Sequence, residues 1–175
     1  MNIRRISILG SPGCRKSTTA AEIFSYLKRQ DIKIELIGEQ FKSLIYYGVN
    51  TLNPHYQLKI LADQMSLEML YLDKGADLIV TDCPIILNVF YAKQLGVPYW
   101  KELLEMERQY NKEFPSTNIF LPYKRDSHTT VGRLHNKEQS IQIERDLMAF
   151  LYETETNFTL VNGNVMDCIS QLLSN

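Results

Sequence analysis

Apolar and polar positions along this chain follow two alternating rhythms. Short, nearly continuous apolar runs at residues 3–9, 33–37, 77–81, 117–121 and 158–161 read as β-strands. Longer segments between them repeat their apolar residues at helical spacing: 17–30, 40–47, 55–73, 86–95, 99–110, 137–152 and 165–173. In the first, Ala21, Phe24, Leu27 and Lys28 share a face. In the 55–73 helix the apolar face is drawn by Ile60, Leu61, Met65, Leu67, Met69, Leu70 and Leu72. Gly48 and Gly96 stop helices, Asn53-Pro54 marks a turn, and Pro98 opens the next helix. The DLIVT run at 77–81 lacks polar alternation, the mark of a strand buried on both faces. Strands alternating with helices imply parallel βαβ units, hence an α/β fold of three layers (α/β/α) with ligands at the carboxyl ends of the strands. No repeat or Pro/Gly/Ser-rich linker interrupts the pattern, so a single domain is expected over residues 1–175, with a polar, irregular lid at about 122–137.

The first strand leads into Gly10-Ser11-Pro12-Gly13-Cys14-Arg15-Lys16-Ser17-Thr18. This matches G-x-x-x-x-G-K-[ST] at every defined position but one, between a strand and a helix as that motif requires. Such a loop turns successive backbone N–H groups inward as a nest for phosphate oxygens, and the following helix adds the positive end of its dipole. Residues 10–18 are therefore expected to bind the phosphates of a nucleoside triphosphate: Lys16 reaches the β- and γ-phosphates, Ser17 holds Mg²⁺, and Thr18 lies by the α-phosphate. The departure is Arg15, where the pattern has glycine. Glycine there adopts backbone angles that other residues avoid. Arginine can cost strain and slow turnover, add a charge to the phosphates, or point outward.

Asp82 ends the DLIVT strand, where an acid can hold Mg²⁺ directly or through water; its alternative use, compatible with the first, is as a helix N-cap or turn aspartate before Pro84. Glu39, after the second strand, can place or deprotonate an attacking hydroxyl, or simply favour a helix dipole. Lys42, one turn on, is either an acceptor contact or a surface lysine. The segment 122–137 gathers Lys124, Arg125, Arg133 and Lys137, of which Arg125 and Arg133 are the candidates to meet charge on a moving phosphoryl group. His128 and His135 lack the spacing of a metal site. Tyr46, Tyr47, Tyr91 and Trp100 can stack on a base or pack in the core.

Composition narrows the picture. A 45% hydrophobic, 22% charged chain of net charge −1 is an ordinary globular sequence without a basic field for non-specific nucleic-acid binding. Cys14, Cys83 and Cys168 form no ligand spacing and suit a reducing compartment. No run approaches a membrane span, so a soluble, cytoplasmic protein is expected, with no membrane partner and an oligomeric state that the sequence leaves open.

Over almost its whole length the chain resembles the P-loop kinases of nucleosides and nucleotides, and more closely the ribosylnicotinamide-kinase-like AAA-type ATP-binding proteins. Some of these are phage-encoded and act on 5-hydroxymethyluracil in DNA. GSPGCRKST resembles their Walker A loop except at Arg15. IGEQFKSLIYYG resembles the segment with an acid after the second strand, here Glu39. LIVTDCPIILNVFYAKQLG resembles the Walker B region, with Asp82 as its acid. GRLHNKEQSIQIERDLMAFL resembles the lid and following helix, with Arg133 as the lid arginine, and FTLVNGN the last strand and a loop near the adenine, here Asn162, Gly163 and Asn164. The resemblance implies a five-stranded parallel sheet in order 2-3-1-4-5, Mg-ATP as donor and a hydroxyl acceptor. Two other readings stand beside the kinase: a nucleotide-binding ATPase or switch acting through a partner, and a weakly active kinase impaired by Arg15.

Overall fold

The structure, a computed structural model, describes residues 3–39, 44, 46–50, 53–123, 136–161 and 164–174. Strands β1 (Arg5–Leu9), β2 (Ile34–Ile37), β3 (Leu78–Thr81), β4 (Ser116–Phe120) and β5 (Thr159–Leu160) form one sheet in the order β2-β3-β1-β4-β5. Every pairing is parallel, with Ser7 level with Thr81, Ile37 level with Thr81, and Leu9 level with Phe120. The expected α/β class, sheet size and strand order are all found. Between the strands run α1 (Lys16–Lys28), α2 (Gln57–Asp73, after a 3₁₀ turn at Pro54–Tyr56), α3 (Ile85–Gln94), α4 (Trp100–Glu113), α5 (Lys137–Glu153) and α6 (Val165–Ser174).

The period-two alternation of the strands sorts the helices into layers. Ile6 and Ile8 of β1, Leu78 and Val80 of β3 and Ile119 of β4 pack with Ala20, Ile23 and Leu27 of α1 and Ile169 of α6. Leu9, Ile79 and Phe120 face the other way, into a core shared with Leu61 and Leu72 of α2, Phe90 of α3, Leu103 of α4 and Phe150 of α5. β1 is central and buried along its whole length, which is why it can launch the loop that follows it from a rigid base. The connection from β1 leads to β2 on one side and that from β4 to β5 on the other. The crevice at the carboxyl ends of the sheet thus opens between β1 and β4.

Side-chain facing differs from expectation in two helices. In α1, Ala20, Ile23 and Leu27 turn inward while Ala21 and Lys28 are exposed. Phe24 is half-buried, so the true stripe lies one residue earlier. In α2, Leu70 is exposed, and three polar residues, Gln57, Gln64 and Glu68, are buried in its place. They are tolerated because the tip of β3 and the start of β1 present polar partners to that face: Gln64 donates to Thr81 Oγ1 at 3.2 Å and to Glu68 Oε1 at 3.0 Å. The expected helix at 40–47 lies largely outside the described residues, as do residues 124–135 of the expected lid. Among the described residues no helix is long and apolar enough to cross a membrane.

Candidate active site

Three strand ends deliver the candidate residues to one edge of the sheet. β1 runs into Gly10, β2 ends two residues before Glu39, and β3 ends one residue before Asp82. Because Ile37 and Ser7 both stand level with Thr81, these exits are side by side.

The loop between β1 and α1 bends sharply. Gly10 has φ 142° and Gly13 φ 96°, conformations that favour glycine. At Gly10 the space is closed as well: a Cβ there would stand 2.5 Å from Cys14 Sγ and 2.6 Å from the Leu121 carbonyl oxygen. Arg15 also sits in the left-handed region, φ 68° and ψ 30°, where the motif would have glycine. The backbone therefore keeps the motif's shape and the side chain is carried outward, exposed to solvent. α1 begins at Lys16 with no side-chain cap and no acid in its first turn, which leaves the amides and dipole of that end for an anion. Lys16 is buried and its Nζ donates to the carbonyls of Gly10, at 2.9 Å, and Ser11, at 3.1 Å. The ammonium is thus held over the loop. Ser17 and Thr18 are exposed, so both hydroxyls are reachable by a ligand. Pro12 is half-buried and Cys14 buried; burial pushes the Cys14 thiol up against the opposing pull of Lys16.

Asp82 is buried, and its Oδ1 has no hydrogen-bond partner among the described residues. A carboxylate oxygen in that state needs a cation or water. The alternative use as a cap is not observed: α3 starts with Pro84 at its N-cap and no side-chain cap bond, while the Cys83 amide donates to Thr81 Oγ1. Ser11 Oγ is likewise buried without a partner there. Cys83 lies among the site's charges. Burial raises its thiol well above the ordinary value, the charges of Glu39 and Asp82 push it further, and Lys16 opposes them. The Tyr91 hydroxyl on α3 is raised by burial first, and then by Cys83 and Glu39.

Glu39 is half-buried at this edge. Arg125, Arg133, Asn162 and Gly163 lie outside the described residues, as do Lys42, Lys124, His128 and His135. Lys137 opens α5, behind the capping box of Asn136 and Gln139. Among the other aromatic candidates, Trp100 is in the core, its ring 6.3 Å from that of Phe150 and under Lys93 Nζ at 4.6 Å. Tyr46 and Tyr47 are 74% and 83% exposed, available for stacking rather than spent on packing.

One residue near the loop escaped the sequence reading. Glu144 of α5 accepts the amide N–H of Tyr123, just past β4, and its charge acts on Cys14. Burial raises its carboxyl, against the effect of the Tyr123 amide. The signal was present: Ser140, Glu144, Leu147 and Leu151 share one helical face, and a carboxylate within such a stripe calls for a partner. Among the described residues no group of three or more His, Cys, Asp or Glu forms a metal cage. Mg²⁺ takes one or two protein oxygens, with phosphate and water making up the rest. The orphaned Asp82 oxygen and the exposed Ser17 hydroxyl fit this demand.

The sequence matches the family described as AAA domain over residues 5–167. A search by sequence among curated proteins finds no match. Among solved structures, the NadR protein in complex with NR superposes with a TM-score of 0.71 at 13% identity over 93% of this chain and 46% of that one. This chain therefore spans under half the length of that NadR chain. The same protein with NAD and AMP-PNP gives 0.64 at 13% identity, covering 93% and 45%. Deoxyadenosine kinase from M. mycoides with bound dATP gives 0.56 at 18% identity, covering 98% of this chain and 100% of that one.

Proposed function

Because the chain belongs to the AAA domain family and has the fold of P-loop nucleoside kinases, we propose that it is a kinase. It transfers the γ-phosphate of ATP to a hydroxyl of a nucleoside, a nucleotide or a modified base, 5-hydroxymethyluracil in DNA among them. The observation that carries this reading is the meeting, at one sheet edge, of a phosphate-shaped loop, a buried lysine folded over it and a buried carboxylate oxygen without a partner among the described residues. Neighbours of this fold hold AMP-PNP and dATP, which supports a nucleoside triphosphate as the ligand.

In this reading Lys16 leaves its two loop carbonyls and donates to the β- and γ-phosphates while the amides of residues 10–18 hold the rest. Ser17 and Asp82 would hold Mg²⁺, which would neutralise charge on the transferring phosphates. Asn162 and Gly163 are the candidates to meet the nucleoside end of the donor. Glu39 accepts the proton of the attacking hydroxyl or aims it in line, and Arg125 and Arg133 meet charge from the lid side. The residues 1–175 act as one cytoplasmic domain with its lid at about 122–137.

A transfer assay with γ-labelled ATP against nucleosides, nucleotides, ribosylnicotinamide and hydroxymethylated DNA tests this. Label should pass to one acceptor class with wild type and to none with Lys16→Ala. ATP hydrolysis without transfer to any acceptor would replace the kinase by a nucleotide-driven switch.

A further inference from the structure

The proposed function leaves Arg15 without a task, and the structure gives reasons to assign one. The position has φ 68°, a backbone conformation that disfavours every residue with a Cβ and costs glycine nothing. Nothing among the described residues repays the strain: Arg15 makes no side-chain cap bond to α1 and its side chain is exposed. It immediately precedes Lys16, whose ammonium is held over the loop. The anion that the surrounding amides are shaped for is a polyphosphate, and a guanidinium pairs with phosphate oxygens in a two-pronged, charge-assisted geometry.

We propose that Arg15 is a substrate-binding residue, a permanent cation built into the phosphate loop that contacts the polyphosphate of the nucleotide from its solvent side. This rests on the reading of residues 10–18 as a phosphate loop and adds to it. Lys16 grips the anion from within and Arg15 closes over it from outside, so two cations of one loop face the same polyphosphate. The backbone strain is kept because the side chain that causes it binds ligand. Affinity for triphosphate is then more sensitive to salt than a single lysine would make it.

The test is calorimetric titration of ATP with Mg²⁺ into the full chain, with Arg15→Gly and Arg15→Lys alongside, at low and high salt, together with melting of each free protein. Relief of the left-handed strain should raise the melting temperature of Arg15→Gly by about 2–4 °C. Its affinity for ATP should fall roughly tenfold, as for loss of one charge-assisted contact, and the salt dependence should flatten. Arg15→Lys should recover part of the affinity and none of the thermal gain. ATP binding by Arg15→Gly as tight as wild type, or tighter, overturns the assignment and makes Arg15 an impairment. Wild type that takes up no triphosphate at all overturns the phosphate-loop reading, and the role of Arg15 with it.

Discussion

Nη1 of Arg5, at the start of β1, stands 3.2 Å from Oε2 of Glu68 on α2, with the two side chains 1% and 0% exposed. The pair is enclosed by further partners. Arg5 donates to the Phe114 carbonyl at 2.8 Å and to Asn111 Oδ1 at 2.9 Å, and its guanidinium lies 4.3 Å over the Tyr110 ring. Glu68 accepts from Gln64 and from the Tyr110 hydroxyl. Through Gln64, Thr81 and the Cys83 amide this network runs up β3 to the residue beside Asp82. It ties the base of the central strand to the Asp82 side of the candidate site.

Removing one member strands a charge. Glu68→Leu leaves the Arg5 guanidinium buried without its carboxylate, and such a loss costs about 3–5 kcal/mol. Urea unfolding of the variant should show that loss, with the midpoint falling and the slope unchanged. The double variant Arg5→Met/Glu68→Leu should recover much of it, since no buried charge is then left.

Glu107 of α4 makes the same region pH-sensitive. Burial raises its carboxyl above the ordinary value of 4.5, and the Arg5 and Arg108 charges only partly oppose this. Glu68, which adds to the rise at Glu107, is itself raised by burial against the pull of Arg5. A carboxyl raised in the folded state keeps its proton while the unfolded chain has already lost one. Its contribution to stability is therefore complete below pH 4.5 and is lost as pH climbs through the folded value. Glu107→Gln removes that loss. The variant and wild type should be similarly stable at low pH, and the variant should gain steadily on wild type above pH 4.5 until the difference levels off. Paired unfolding curves across that range check it.

At Gly10 the demand is steric. The Leu121 carbonyl, 2.6 Å from an added Cβ, belongs to backbone that follows β4 and cannot swing aside as a side chain would. Gly10→Ala should cost roughly 1–3 kcal/mol in overpacking and strain. It should also abolish measurable ATP uptake, because the loop must shift to admit the methyl group. Melting and titration of the same preparation test both effects, and unchanged ATP affinity would contradict the tight closure seen here.

The strands, the layers and the phosphate loop were legible because each rests on a local signal: an apolar run, a helical period, a motif of fixed spacing; the strand order came only from the family resemblance. What was not legible depends on tertiary partners. Leu70 belongs to α2's apolar pattern yet is exposed, and Glu68 breaks that pattern yet is buried, because Arg5, sixty-three residues earlier, stands opposite it. The stripe on α1 was misjudged by one residue, since Ala20 and Ala21 look alike until the sheet decides which of them it covers. Arg15 was visible as a departure from the motif. Only the backbone reveals that the left-handed turn is kept in spite of the arginine.

Asp82 gives the sharpest division between scaffold and chemistry. Its Oδ1 is buried with no partner among the described residues, so in the absence of ligand the carboxylate is a burden on the fold. Asp82→Asn removes that charge and keeps the shape. The free variant should be as stable as wild type or more so, by about 1 kcal/mol. Mg²⁺-dependent ATP binding should weaken, and transfer should slow by about 10²-fold or more, the scale of losing one charge-stabilising group in a closed site. Titrating Mg²⁺ at fixed ATP separates the effects, since a metal ligand shifts the Mg²⁺ midpoint upward whereas a helix cap does not. A variant that is less stable than wild type but keeps the wild-type Mg²⁺ midpoint would return Asp82 to a purely structural role and leave Ser17 as the only metal candidate on this edge.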